Sequence, residues 1–346
     1  MILRELSELP GVSGDEHRVR ARLWEAVRDR VDGGRVDALG NLITWKGADR
    51  PGPKVMIAAH MDEIGLMITR IDKDGLLRFR KVGGIDDRVL AAKAVRVGPD
   101  GIPGVIGLKP IHLLKDNEAK KAVSHEELYI DIGAASKEEA ERVVRPGMYA
   151  TFATAFGELG DGLVKGKAFD DRAGCALLVE LLALDFPFPV YGVFTVQEEI
   201  GLRGARVAAY DVAPGLALVL EGTTCADTPG TDPHGQSTLL GHGPAITVMD
   251  ATHIPARPLV DGLVAAAESA GIPWQWKRTT FGGTDAGSIH LTRAGVPAAT
   301  VSVPCRYIHS PCAFMSLRDF ENTRRLLAAF LEDVPRVAER LAQGSA

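Results

Sequence analysis

Lys54-Val-Met-Ile-Ala-Ala59, with His60-Met-Asp62 directly behind it, decides how this chain is read. The run is short, apolar without alternation, and set off by a Pro/Gly break. It reads as a strand buried on both faces, the pattern of a central parallel sheet. Upstream, Ser13-Gly-Asp-Glu16 fits a capping box, Ser13 capping while Glu16 reaches back. Val19, Leu23, Ala26 and Val27 then recur at helical spacing, which predicts a helix over about Asp15 to Arg30. Val36 to Trp45 predicts a hairpin turning at Gly40-Asn41. Downstream the texture changes. Between about Thr69 and Lys165, short β-like runs alternate with Gly and Pro (Leu76–Val82, Ala94–Val97, Val105–Gly107, Leu128–Asp131, Met148–Phe152), and only Ser136–Val144 looks helical. That is the composition of a small β-rich barrel or sandwich. From Phe169 the α/β rhythm returns. Helices are expected at Arg172–Leu184, Gly204–Tyr210, Arg257–Ala270, Ala286–Ala294 and Leu317–Leu341. Strands are expected at Pro189–Val196, Leu216–Leu220, Ala245–Val248, Trp274–Arg278 and Ala298–Val303. The simplest architecture is one α/β domain (1–68 and 166–346), a sheet flanked by helices, interrupted by an inserted β domain (69–165).

The chain is 346 residues long, 46% hydrophobic and 25% charged, so it has ample apolar surface to bury and is not expected to be disordered. A net charge of −5 argues against nucleic-acid or anionic-membrane partners, which favour basic surfaces. The four cysteines (Cys175, Cys225, Cys305, Cys312) form no CxxC pair and are expected to be reduced thiols. No apolar stretch resembles a secretory signal or a membrane span, so the expected location is the cytoplasm.

Parallel sheets deliver functional groups at the C-terminal ends of their strands. Here those positions hold His60 and Asp62, Glu198 and Glu199, and Glu221, with His309 shortly beyond the last strand and Asp170-Asp171 opening a helix. Each residue alone has an ordinary structural explanation: a hydrogen-bonded histidine, an acidic helix N-terminus, a solvated strand end. Together they place two histidines and several carboxylates on one edge of one sheet, a donor mix that suits zinc, cobalt or manganese. Asp62, two residues from His60 on extended chain, is placed to orient its imidazole. Other chemistries fit less well. There is no G-x-S-x-G serine elbow and no Walker A loop, and the Gly-containing turns at 165–167 and 281–287 lack phosphate-cradle spacing.

At five motifs the chain resembles the M42 family of metallo-aminopeptidases. They are Ala59-His-Met-Asp-Glu-Ile-Gly65, Phe169-Asp-Asp-Arg-Ala-Gly174, Val196-Gln-Glu-Glu-Ile-Gly-Leu-Arg-Gly-Ala205, Gly283-Thr-Asp-Ala-Gly287 and Arg306-Tyr-Ile-His309, in order along almost the whole chain. The resemblance implies a mixed sheet of zinc-exopeptidase type with an inserted small β-barrel that builds dimers, and dimers that assemble into dodecamers. It implies a homo-oligomer acting on peptides with two divalent ions per subunit, zinc, or else cobalt or manganese. It also implies roles. His60 and Glu221 hold one ion, Glu199 and His309 the other, Asp170 bridges both, and Glu198 is the general base. The family often has Asp where this chain has Glu221. Glu221 and Asp285 both remain open as partners for a substrate α-amine. Two other readings compete. A two-carboxylate glycoside hydrolase with Glu198 as acid leaves His60 and His309 unexplained. An inactive metal-binding assembly subunit has no need of Glu198.

Overall fold

The computed structural model describes residues 1–113 and 121–344; the stretch 114–120 of the expected insert lies outside the described residues. An 11-stranded mixed sheet forms the body of the molecule. Its centre is parallel: Val190–Thr195, Val55–His60, Leu216–Cys225 and Ala298–Arg306 lie side by side in that order. Antiparallel strands flank them, Leu42–Lys46 and Gly33–Val36 on one side, Ala313–Ser316, Leu163–Gly166 and Gly157–Leu159 on the other.

The opening strand shows why both faces are covered. All six residues of Val55–His60 are buried. Because successive side chains alternate across a sheet, Val55, Ile57 and Ala59 join one core, with Phe169, Leu177, Leu181 and Phe330 of the helices Phe169–Leu181 and Leu317–Glu332. Met56 and Ala58 join the other, under Ala205, Ala208 and Ala209 of the helix Arg203–Val212.

The second unit is a closed six-stranded antiparallel barrel. Its order is Gly65–Ile71, Leu77–Val82, Tyr129–Asp131, Ile102–Gly107, Ala94–Val97, Tyr149–Phe152, and back to Gly65–Ile71. It has its own core, in which Leu66, Leu77, Val97, Ile106 and Ile130 are fully buried. Closure leaves no open sheet edge. The strand topology differs from the expected 69–165 insert at both ends. The barrel already begins at Gly65, and 157–166 pairs with the large sheet. No break in composition separates Gly65 from the preceding Asp62-Glu63-Ile64, so the sequence hides that start.

Four further expectations change. Ser13 does not cap a helix. Its hydroxyl donates to Asp62 Oδ2 at 2.6 Å, Glu16 accepts from the Gly14 amide, and the helix runs only from His17 to Val27, after a short helix at Ile2–Glu8. The final helix is two, Leu317–Glu332 and Val334–Gly344. Pro335 supplies no N–H and its ring clashes with the turn before it, which ends the first helix at Asp333. The helix after Asp285 stops at Ile289, ahead of left-handed backbone at Arg293 and Gly295. Glu221 does not end its strand. Leu216–Cys225 continues in register with Ala298–Arg306 as far as Cys225 opposite Arg306, so Glu221 sits mid-strand, beyond the last residue paired with the shorter Val55–His60.

Candidate metal centre

Four sequence-distant segments meet at one edge of the parallel strands. His60 ends its strand, Asp170 lies at the non-helical start of Phe169–Leu181, Glu198 and Glu199 follow Val190–Thr195, and Glu221 projects from Leu216–Cys225. His309 follows Ala298–Arg306 and stands at the rim, with its side chain 40% exposed. The backbone is bent hard here. Ala168, Gln197, Tyr307 and His309 all have φ between 55° and 62°, a conformation that costs non-glycine residues about 1–3 kcal/mol and persists only where surrounding contacts over-determine it.

The ligating atoms of His60, Asp170 and Glu221 lie within 4.8 Å of one another, and so do those of Asp170, Glu199 and His309. His60 Nε2 is 3.2 Å from Asp170 Oδ1 and 3.4 Å from Glu221 Oε2. His309 Nε2 is 3.4 Å from Asp170 Oδ2 and 3.5 Å from Glu199 Oε2. Asp170 thus turns one oxygen toward each group. Glu198 belongs to neither, its Oε2 standing 4.0 Å from His60 Nε2.

The imidazoles are oriented from behind. His60 Nδ1 lies 3.1 Å from the Asp62 carbonyl, and His309 Nδ1 lies 2.9 Å from the Gly84 carbonyl. A carbonyl only accepts, so Nδ1 carries the proton in both rings and Nε2 faces the carboxylates. The Asp62 carboxylate does more than face the imidazole, which is 3.4 Å away. It accepts from the Ser13 hydroxyl and from the backbone amides of Glu198 (3.0 Å) and Glu199 (3.1 Å). One buried side chain therefore holds the His60 ring and the Glu198-Glu199 backbone in fixed relation. Asp171 ties the other side, accepting from the His60 amide at 3.1 Å and the Gly174 amide at 2.8 Å. Gly222 lets Asp170 approach Glu221's strand, since a Cβ there would meet Asp170 Cα at 2.9 Å.

The electrostatics show a cluster short of positive charge. Burial, reinforced by neighbouring carboxylates, pushes Glu199 up to about 7, Glu221 up to about 8, and Glu198 well above the usual carboxylate range. Burial would raise Asp170 too, but hydrogen bonds from His309 and His60 outweigh it and hold Asp170 well below its ordinary value. The carboxylates in turn raise both histidines against the opposing effect of burial, His309 to about 10. Glu221 Oε2 is buried with no hydrogen-bond partner among the described residues. An orphaned carboxylate oxygen beside raised carboxyl groups is what divalent cations relieve, and oxygen donors with one imidazole in each group fit borderline metals.

The sequence profile described as M42 glutamyl aminopeptidase matches residues 40–326, which include every residue of this cluster. The chain belongs to the M42 peptidase family. It is a peptide hydrolase of the aminopeptidase type, in a family that depends on metal. The chain is 36% identical to a lysyl aminopeptidase of Pyrococcus furiosus, over 96% of both chains. Its fold superposes on a TET aminopeptidase from the marine sediment archaeon Thaumarchaeota archaeon SCGC AB-539-E09 with a TM-score of 0.95 at 38% identity, covering 98% of this chain and 97% of that one. It also matches the Pyrococcus horikoshii TET1 peptidase, which assembles into a tetrahedron or a large octahedral shell (TM-score 0.85, 38% identity, 95% and 98% covered).

Several groups of this M42 site escape sequence reading. The Gly84 carbonyl comes from the loop after Leu77–Val82, so the barrel segment reaches into the centre. Lys167 Nζ pairs with Glu63 at 2.6 and 2.7 Å and donates to the Leu9 carbonyl, while Arg172 donates to the Met61 carbonyl. These buried contacts lock the chain on both sides of His60-Met-Asp62. Asp285, one of the two residues left open for the substrate amine, is buried behind the site, accepting from the Thr195 hydroxyl with its other oxygen unpartnered among the described residues. No single-residue signal marks the Gly84 carbonyl or the Lys167–Glu63 pair.

Proposed function

We propose that this M42 aminopeptidase works with two divalent ions per chain, zinc, or else cobalt or manganese. His60, Asp170 and Glu221 would hold one; Asp170, Glu199 and His309 would hold the other. The observation that carries this is Asp170, whose two oxygens face the two histidines separately. Two ions there would supply an acidified water and a polarised scissile carbonyl. Glu198, outside both groups and raised in proton affinity by burial, takes the proton of the attacking water and returns it to the departing amine. Asp62 keeps Glu198 and Glu199 pointing apart by gripping both amides. Glu221, beside the cavity, is the candidate for the substrate's α-amine, which restricts cleavage to N-termini.

Metal analysis with a panel of aminoacyl-p-nitroanilides tests this. The expected result is two ions per chain and hydrolysis that a chelator stops and added metal restores. Full turnover by metal-free protein would overturn it.

We further propose a homo-oligomer of dimers, reaching a dodecamer, with the barrel unit, which begins at Gly65 rather than at the expected 69, at the dimer contact. Support comes from the assembly of the P. horikoshii relative. Light scattering should give a native mass many times the 36.9 kDa of one chain. All four cysteines are free, and we place the protein in the reducing cytoplasm.

A further inference from the structure

The turn that carries Glu198 and Glu199 leaves the sheet. Val190–Thr195 pairs with Leu42–Lys46 as far as Phe194 and with Val55–His60 as far as Thr195. The amides of Val196, Gln197, Glu198 and Glu199 lie beyond both ladders, and Gln197 takes left-handed backbone with φ 56°. Each of the four nevertheless has a partner, and each partner is a side chain. Glu198 and Glu199 donate to Asp62. Val196 donates to Asn41 Oδ1 at 3.0 Å, and Gln197 donates to Glu16 Oε1 at 3.2 Å. These last two acceptors stand 155 and 181 residues away along the chain.

Both acceptors are themselves fixed. Asn41 and Glu16 are buried. The Asn41 Nδ2 donates to Asp37 Oδ2 at 2.6 Å and to the Gly204 carbonyl at 3.0 Å, which leaves Oδ1 facing the Val196 amide. The Glu16 oxygen that meets Gln197 also accepts from the Gly14 amide at 2.8 Å. The loop that carries Glu16 is tied to the chain just past His60. The Glu63 amide donates to the Gly11 carbonyl at 2.9 Å, the Gly11 amide donates to Glu63 Oε1 at 3.1 Å, and Ser13 donates to Asp62. This loop therefore bridges the two segments that hold His60 and Glu198-Glu199. A turn whose only task is to reverse the chain can leave such amides to water. Here three distant side chains converge on the turn that presents a candidate ligand and a candidate base.

We propose that Glu16 and Asn41 are positioning residues for the reaction: by fixing the Gln197 and Val196 amides they set where Glu198 stands against the attacking water and where Glu199 meets its ion. The inference rests on the two-ion aminopeptidase reading and deepens it. Neither residue belongs to the two ligand groups. Their effect passes through the backbone of the turn, where a misplacement of about 1 Å can cost about 100-fold in rate. A purely structural role predicts a different pattern: a lower melting temperature, both ligand groups loosened alike, and kcat per folded chain unchanged.

The test uses the full-length chain, well below the melting temperature of each variant, with the best substrate from a panel of aminoacyl-p-nitroanilides. Glu16→Leu removes the acceptor, so kcat should fall about 10–100-fold while KM stays within about 2-fold. Glu16→Gln keeps an oxygen in the same place and should retain most of the wild-type kcat. Asn41→Ala should act in the same direction as Glu16→Leu. Zinc titration by calorimetry reads the displacement without turnover. Glu16→Leu should weaken the Glu199–His309 site by up to about 10-fold and spare the His60–Glu221 site. In a His309→Ala background, where the His60–Glu221 site carries the measured binding, Glu16→Leu should therefore add nothing. If Glu16→Leu yields no folded protein, Glu16→Asp, one methylene short of the Gln197 amide, carries the same expectations. Equal weakening of both sites, an unchanged kcat, or Glu16→Gln as impaired as Glu16→Leu would overturn the proposal. Wild-type protein that binds two zinc ions and hydrolyses no anilide would sink the aminopeptidase reading instead, and the calorimetric arm would still decide whether Glu16 places Glu199.

Discussion

The barrel and the metal centre treat their carboxylates in opposite ways. In the barrel segment, Asp72 lies against Arg78 and Arg70, Asp86 against Arg88, and Asp87 against Lys81 and His125; all three are held below the ordinary range, Asp87 at about 2. At the sheet edge, Glu198, Glu199 and Glu221 are all pushed up, because burial and mutual repulsion outweigh two histidines. These barrel carboxylates have their counter-charges beside them. The sheet edge gathers carboxylates and two histidines that could hold a metal ion, and the strained backbone around it is held by contacts elsewhere. One region is built for stability and the other for chemistry.

The largest expected effect falls on Glu198. Glu198→Gln keeps the size and both proposed ligand groups but removes the base, so kcat should fall about 10²–10⁴-fold with metal content unchanged. Near-normal turnover at full occupancy would move the base elsewhere. Next comes Asp170. Its replacement by Asn should weaken both sites at once in a calorimetric metal titration, whereas His60→Ala or His309→Ala should weaken chiefly one. Two undisturbed sites in the Asp170 variant would refute the shared role.

A smaller effect tests whether the two regions are as separate as their charges suggest. Gly84 belongs to the loop after a barrel strand, yet its carbonyl orients His309, and a Cβ there would come within 3.2 Å of Nδ1. Gly84→Ala should weaken metal binding on the His309 side by up to about 10-fold, in line with other outer contacts to ligating histidines. No change would mean that the barrel does not tune the centre.

The smallest effect is confined to the barrel. Asp87 has its pKa lowered from 3.8 to about 2 in the fold. Its stabilising contribution is therefore fully present above pH 3.8 and is lost as pH falls toward 2. Solvent screening limits this to about 1 kcal/mol. Asp87→Asn should lose the same amount at neutral pH and flatten this part of the acid-unfolding profile. An unchanged acid profile would contradict the ion-pair account.

Much of the molecule was legible before any coordinates. The uninterrupted Val55–Ala59 predicts a strand covered on both faces, because no residue in it tolerates water, and the barrel strands announce themselves by Gly/Pro punctuation. His60, Glu198 and Glu199 could be placed because they follow directly from apolar runs whose direction is set. By contrast, Ser13 was misread as a helix cap because local spacing favours that bond. Only the packed chain brings Asp62, forty-nine residues away, within reach of its hydroxyl. The Gly84 carbonyl and the double grip of Asp62 on Glu198 and Glu199 have no sequence signature at all. Residue type and local period depend on neighbours within a turn or a strand, and the sequence states those outright. Whether a buried charge has a partner depends on which distant segments the fold brings alongside it, and that is decided only when the chain is packed.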